Sequence, residues 1–105
     1  MRSGAATKAG CTEMRESMIE KVLVLTANVH GGRAVKLVSP GTAGIPDRLL
    51  LGSGGRLAFV EVKAPGKKPR ALQAFRAEQL RSMGFQVETI DSTEAARRIA
   101  VEICG

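Results

Sequence analysis

The chain has 105 residues, 44% hydrophobic and 25% charged, the mix of one small globular domain and not of a disordered or collagen-like chain. No apolar run approaches the roughly 18 residues of a membrane span, and nothing after Met1 reads as a secretory signal. Two cysteines, Cys11 and Cys104, are too few for a disulfide framework or a sulfur-ligated metal, so a cytoplasmic setting with no membrane partner is expected.

Residues 1–11 are small and polar, and read as a disordered leader before a single domain over 12–105. A first helix is expected from Thr12 to Asn28, capped by Thr12 and favoured by Glu13 and Glu16 at its positive end. Met18, Val22, Leu25 and Val29 recur at helical spacing with Ile19 beside them, and give its core face. Gly31-Gly32 ends it. Ala34 to Ser39 reads as a strand, and Pro40 to Gly44 as a loop. Arg48–Leu51 and Leu57–Val62 flank Gly52-Ser53-Gly54-Gly55-Arg56, a hairpin signal. After a loop with Pro65 and Gly66, a second helix runs from Arg70 to Met83, with Leu72, Phe75, Leu80 and Met83 inward. Phe85 to Ile90 is a strand, and a capping pattern of Asp91 and Glu94 opens a last helix from Ser92 to Ile103. The order α-β-β-β-α-β-α predicts an α/β three-layer fold with a small mixed sheet.

The 16 Lys and Arg outnumber the 10 Asp and Glu, for a net charge of +6, and suit a polyanionic partner, nucleic acid first. Lys63, Lys67, Lys68, Arg70, Arg76 and Arg81 crowd into one stretch against a single acid, Glu78. With three Phe and neither Tyr nor Trp, base stacking is a poor fit, so the grip falls on backbone phosphates.

The hairpin register brings out a site. A turn centred near Gly54 sets Leu51 opposite Leu57, Leu49 opposite Phe59 and Asp47 opposite Glu61. Facing carboxylates have Cβ atoms about 5 Å apart and repel, a cost that a divalent cation between them removes. Lys63, two residues beyond Glu61, shares that face. A structural ion pair of Lys63 with Asp47 or Glu61 is the plainer alternative. Other constellations fail: His30 is alone at a helix end, and the glycine-rich turn precedes a strand and not a helix, so it is no phosphate loop.

Gly44-Ile45-Pro46-Asp47-Arg48, Phe59-Val60-Glu61-Val62-Lys63, then Gln73 and Leu80 with Gly84-Phe85, resemble the VRR-NUC family, virus-type replication-repair nucleases of the PD-(D/E)XK superfamily. The resemblance runs from about Arg15 to Asp91 and is to the stand-alone, phage-type members. It implies a restriction-endonuclease-like fold in which Asp47, Glu61 and the Val62 carbonyl bind Mg²⁺, with Mn²⁺ as substitute. It implies that Lys63 positions the attacking water, that Gln73 points toward the site, and that a glutamate of the first helix contributes. Glu16 and Glu20 both fit that last role. Lys36, Arg48, Lys67, Lys68 and Arg70 are the expected DNA contacts. The implied activity is structure-specific DNA cleavage, with a homodimer acting on four-way (Holliday) junctions. The surfaces for pairing are the last helix (Ala96, Ile99, Ile103) and the apolar first helix. The alternative is a catalytically silent basic module of the same fold that binds nucleic acid.

Overall fold

The computed structural model describes residues 4–105, with side chains from 15 onward. In chain order its elements are α1 (Gly4–Val29), β1 (Arg33–Lys36), β2 (Arg48–Leu51), β3 (Leu57–Val62), α2 (Ala71–Ser82), β4 (Gln86–Ile90) and α3 (Thr93–Cys104), with a short 3₁₀ turn at Ser53–Gly55. The α-β-β-β-α-β-α order is as expected. The sheet runs β1-β2-β3-β4: the first three strands are antiparallel, and β4 joins β3 in parallel through the α2 crossover.

The hairpin pairs Leu51 with Leu57 and Leu49 with Phe59, as the turn predicts. Gly54 and Gly55 carry φ of 74° and 79°, the left-handed conformation that glycine supplies without steric cost. Side chains alternate across this ladder. Leu50, Ala58, Val60 and Val62 point to one face, where Ile19, Leu23 and Ala27 of α1 and Ala96, Ile99, Ala100 and Ile103 of α3 close over them. Leu49, Leu51, Leu57 and Phe59 point to the other and stay partly open. There α2 lies against β4, and Phe85 meets Phe59 edge to face at 5.6 Å. The site occupies this less covered face.

Several expectations are corrected. Of the expected leader, residues 1–3 lie outside the described residues, while 4–11 are the first turns of α1, in keeping with the helix-favouring Ala5, Ala6 and Ala9. Thr12 is therefore inside the helix and does not cap it. The core face of α1 is Ile19, Leu23 and Ala27, and Met18, Leu25 and Val29 are 55%, 62% and 80% exposed. The run Val22-Leu23-Val24-Leu25 is apolar on every side, so apolar spacing alone cannot fix the helix's rotation. β1 ends at Lys36, because the Pro40-Gly41 turn carries the chain away. In α2, Ala77 is buried and Leu80 half-buried, whereas Leu72, Phe75 and Met83 are exposed. Gln73 turns toward the sheet to bond Glu61 and sets this rotation. The cap of α3 is Ser92, whose Oγ accepts from the Ala95 N–H at 3.0 Å. Asp91 instead accepts from the Gly66 N–H at 3.2 Å and holds the loop after β3.

Candidate active site

Asp47 stands immediately before β2, behind the buried Pro46. Its position is fixed twice. Its backbone carbonyl accepts from the Leu37 N–H at 2.9 Å, and its Oδ1 accepts from the Val62 N–H at 3.3 Å. The N–H and C=O of one strand residue point to the same side, so the Val62 carbonyl is directed to this edge too. Glu61 lies on β3 with its side chain 10% exposed. Its Oε2 accepts from Gln73 Nε2 at 3.1 Å, and Lys63 Nζ stands 3.8 Å from the same oxygen. Gln73 is held in turn, because its Oε1 accepts from the Arg70 N–H at 2.9 Å at the start of α2. One side chain thus satisfies a helix N-terminus and orients a carboxylate.

The electrostatics of this end are unbalanced. Burial, and then the charge of Asp47, push Glu61 up to about 7, against the pull of Lys63. Asp47 is raised as well, chiefly by burial, with the Val62 N–H opposing and Glu20 adding to the rise. Two half-sequestered acids at one spot with a lysine beside them is an arrangement of reactive sites more than of structural pairs.

Among the described residues no three His, Cys, Asp or Glu side chains gather closely enough to form a cage of their own around a metal. The donors that do converge are two carboxylates and a main-chain carbonyl, all hard oxygens. That set fits Mg²⁺, which takes one or two carboxylates and keeps its waters, and does not fit a thiophilic metal.

The other expected residues distribute unevenly. Glu20 and Arg48 meet on the α1 side of the sheet, where Arg48 Nε and Nη2 donate to Glu20 Oε2 at 3.0 and 2.7 Å. Arg48 Nη1 donates to the Ala34 carbonyl at 2.9 Å, so this guanidinium is anchored to α1 and β1. Glu16 is exposed one turn earlier. Lys67, Lys68 and Arg70 are exposed in the segment that links β3 to α2 directly beyond Lys63, and Lys36 is exposed at the end of β1. Sequence reasoning missed the support behind Asp47. Arg76 Nε donates to the Ala43 carbonyl at 2.9 Å, and Gly44, at φ 86°, lies so close to α2 that a Cβ there would come within 2.9 Å of Leu72. The glycine just ahead of Pro46 was the available signal for this close approach.

No family model matches the chain. It is 46% identical over 81 residues to "Putative nuclease p44" of Acyrthosiphon pisum secondary endosymbiont phage 1, an alignment covering 77% of this chain and 87% of that protein. A solved structure described as a VRR_NUC domain superposes with a TM-score of 0.76 at 28% identity, over 84% of this chain and 95% of that one. The mixed four-stranded sheet and these two similarities define the class of the protein: it is a nuclease. Within that class, this chain belongs to the VRR-NUC family.

Proposed function

We propose that the chain is a metal-dependent endonuclease that hydrolyses phosphodiester bonds in branched DNA, four-way junctions foremost, as a homodimer. The observation that carries this reading is the pair of low-exposure acids, Asp47 and Glu61, held at one sheet end with Lys63 beside them. A structural ion pair needs one acid for one lysine; a second, whose ionisation is opposed, has no purpose in a pure phosphate-binding surface.

Asp47, Glu61 and the Val62 carbonyl would hold Mg²⁺, or Mn²⁺ in its place. When bound, such an ion offsets phosphate charge and eases deprotonation of water. Lys63 Nζ, 3.8 Å from Glu61 Oε2, would hold the attacking water and stabilise negative charge that develops on the phosphate. Gln73 keeps Glu61 Oε2 fixed, so the acid does not reorganise as the reaction proceeds. Lys67, Lys68 and Arg70 grip the backbone without reading bases.

Cutting a four-way junction requires two incisions related by symmetry, and one chain carries one acid pair. A two-fold dimer supplies both. The face of α3 named for pairing is unavailable, because Ala96, Ile99 and Ile103 are inside the core. Pairing falls to α1, which leaves Met18, Leu25 and Val29 exposed. Among the described residues no helix is long and apolar enough to cross a membrane.

The test is cleavage of junction, flap and linear duplex DNA with Mg²⁺, Mn²⁺ and a chelator. Junction cleavage that needs the ion and is lost in Asp47→Ala and Glu61→Ala is the expected result. Cleavage that survives either substitution at the wild-type rate removes these acids from the reaction.

A further inference from the structure

Helix α2 touches both segments that carry the acids. One contact is Gln73 Nε2 on Glu61 Oε2, at 3.1 Å. The other comes three residues later on the same helix side, where Arg76 Nε donates to the Ala43 carbonyl at 2.9 Å. Ala43 opens the strap Ala43-Gly44-Ile45-Pro46 that leads into Asp47. The strap lies outside the pairing of β1 with β2, so no ladder fixes its path. Its far end is tied at Asp47 by the Leu37 and Val62 amides, and its near end by Arg76. Between the two ends the chain is stiff. Pro46 is buried and has a fixed φ, and Ile45 is restricted because it precedes proline.

Arg76 is itself held. Its Nη1 donates to Gln79 Oε1 at 3.1 Å, and its guanidinium lies 5.5 Å from the centre of the Phe75 ring. A planar fork with two donors committed fixes a carbonyl better than a flexible ammonium does. Gly44 closes the same seam: at φ 86°, a Cβ there would come within 2.9 Å of Leu72 Cγ, the Leu72 carbonyl oxygen and Arg76 Cγ. We propose that Arg76 is a positioning residue for the nuclease reaction: by holding the Ala43 carbonyl it sets where Asp47 stands relative to Glu61. The inference rests on the reading that Asp47 and Glu61 hold a divalent cation. The hydrogen bonds of Arg76 go to Ala43 and Gln79 and to neither acid, so its effect passes through the strap. One rigid helix then fixes both acids, one through a side chain and the other through the main chain ahead of it.

The test compares Arg76→Gln, Arg76→Lys and Gly44→Ala with the wild-type chain. The readings are Mn²⁺ titration without DNA, amide hydrogen exchange of the metal-free protein, and kcat and KM on a junction. The Val62 amide, which donates to Asp47 Oδ1, reports the place of that acid; the next amide, Lys63, donates to the Ile90 carbonyl and serves as control. Removing support behind a metal site costs about 10- to 100-fold in affinity or activity. Arg76→Gln is expected to speed exchange at Val62 while Lys63 keeps its protection, and to weaken Mn²⁺ binding and lower kcat by about 10-fold with KM nearly unchanged. Gly44→Ala, which wedges the seam with Arg76 in place, is expected to show the same pattern, and the double variant with Arg76→Gln to be no worse than the weaker single. Unchanged Val62 exchange and Mn²⁺ affinity in Arg76→Gln, whatever the melting temperature, would make the contact merely structural and overturn the proposal. So would a raised KM with a salt dependence flattened by about 1, the mark of a phosphate contact. Arg76→Lys keeps the charge and loses the fork; full Mn²⁺ affinity and Val62 protection there overturn the idea, and this variant decides where Arg76→Gln does not fold. Unimpaired Mn²⁺ binding by Asp47→Ala would instead defeat the underlying metal reading, while exchange at Val62, read without metal, still reports on the seam.

Discussion

Glu61 is 7% exposed, with Gln73 and Lys63 on one of its oxygens and Asp47 near enough to oppose its charge. In the unfolded chain it titrates near 4.5, and in the fold at about 7. The folded value is the higher one, so the unfolded state gives up its proton first. This contribution to stability is whole below pH 4.5 and is lost as pH rises to about 7. A shift of that size corresponds to at most about 3 kcal/mol. Asp47, also raised, acts in the same direction. In metal-free protein Glu61→Gln is therefore expected to melt higher than wild type at pH 8, with the difference shrinking toward pH 5. Parallel melting curves of the two proteins against pH would show that Glu61 carries no such burden. Arg48 shows what strand alternation adds at residue scale. Parity puts it on the side of Leu50, toward α1, while Asp47 shares a side with Leu49. Three of its donors go to Glu20 and the Ala34 carbonyl, contacts that its neighbour in sequence does not suggest.

At the level of elements, the strands were more legible than the helices. The glycine-rich turn and two short apolar runs determine a register, and Leu49–Phe59 and Leu51–Leu57 follow from counting outward. The rotation of α2 did not follow from counting apolar residues, because a polar contact determines it. With Gln73 bound to Glu61, Ala77 one turn on must face the sheet, and Leu72 and Phe75 are carried outward. The small side chain at 77 allows the helix to approach β4. Ala77→Leu is expected to push α2 away, destabilise by about 1–3 kcal/mol, and lower cleavage because Gln73 no longer reaches Glu61. Denaturant melts together with kcat measure both, and a fully active, equally stable variant would mean α2 does not set the geometry of Glu61. The rotation of α1 was hidden for a related reason: four consecutive apolar residues fit any phase, and the contact of Glu20 with Arg48 agrees with the phase that buries Ile19, Leu23 and Ala27.

Across the whole molecule, the two sides of the sheet differ in cover. The α1/α3 side of the sheet is sealed, and the other carries the acids at one end with Lys67, Lys68 and Arg70 exposed just beyond. Each phosphate-bound cation releases about 0.9 counterions on duplex DNA. Replacing all three is expected to weaken binding and to flatten the dependence of log K on log salt by up to about 3. An unchanged slope in fluorescence titrations would assign these residues to solubility alone. The exposed Met18, Leu25 and Val29 of α1 lead to a prediction about assembly. Leu25→Lys is expected to convert a dimer to a monomer in light scattering and to reduce paired incisions of a junction to single nicks. A wild-type chain with the 11.1 kDa mass of one copy at micromolar concentration would exclude pairing.

Asp47 accepts two backbone hydrogen bonds of different kinds, from the Leu37 amide to its carbonyl and from the Val62 amide to its carboxylate. The molecule therefore contains its own pair of spectroscopic indicators, one for the chain at Asp47 and one for its side chain. In an amide-resolved NMR titration with Mg²⁺, the Val62 signal should move as the carboxylate oxygen is drawn away, while the Leu37 signal stays in place. Movement of both together would mean that the cation shifts the backbone before β2, and movement of neither would place the cation elsewhere. The same two amides report by hydrogen exchange: Val62 becomes easier to exchange in Asp47→Ala, and Leu37, whose acceptor is the main chain, keeps its protection.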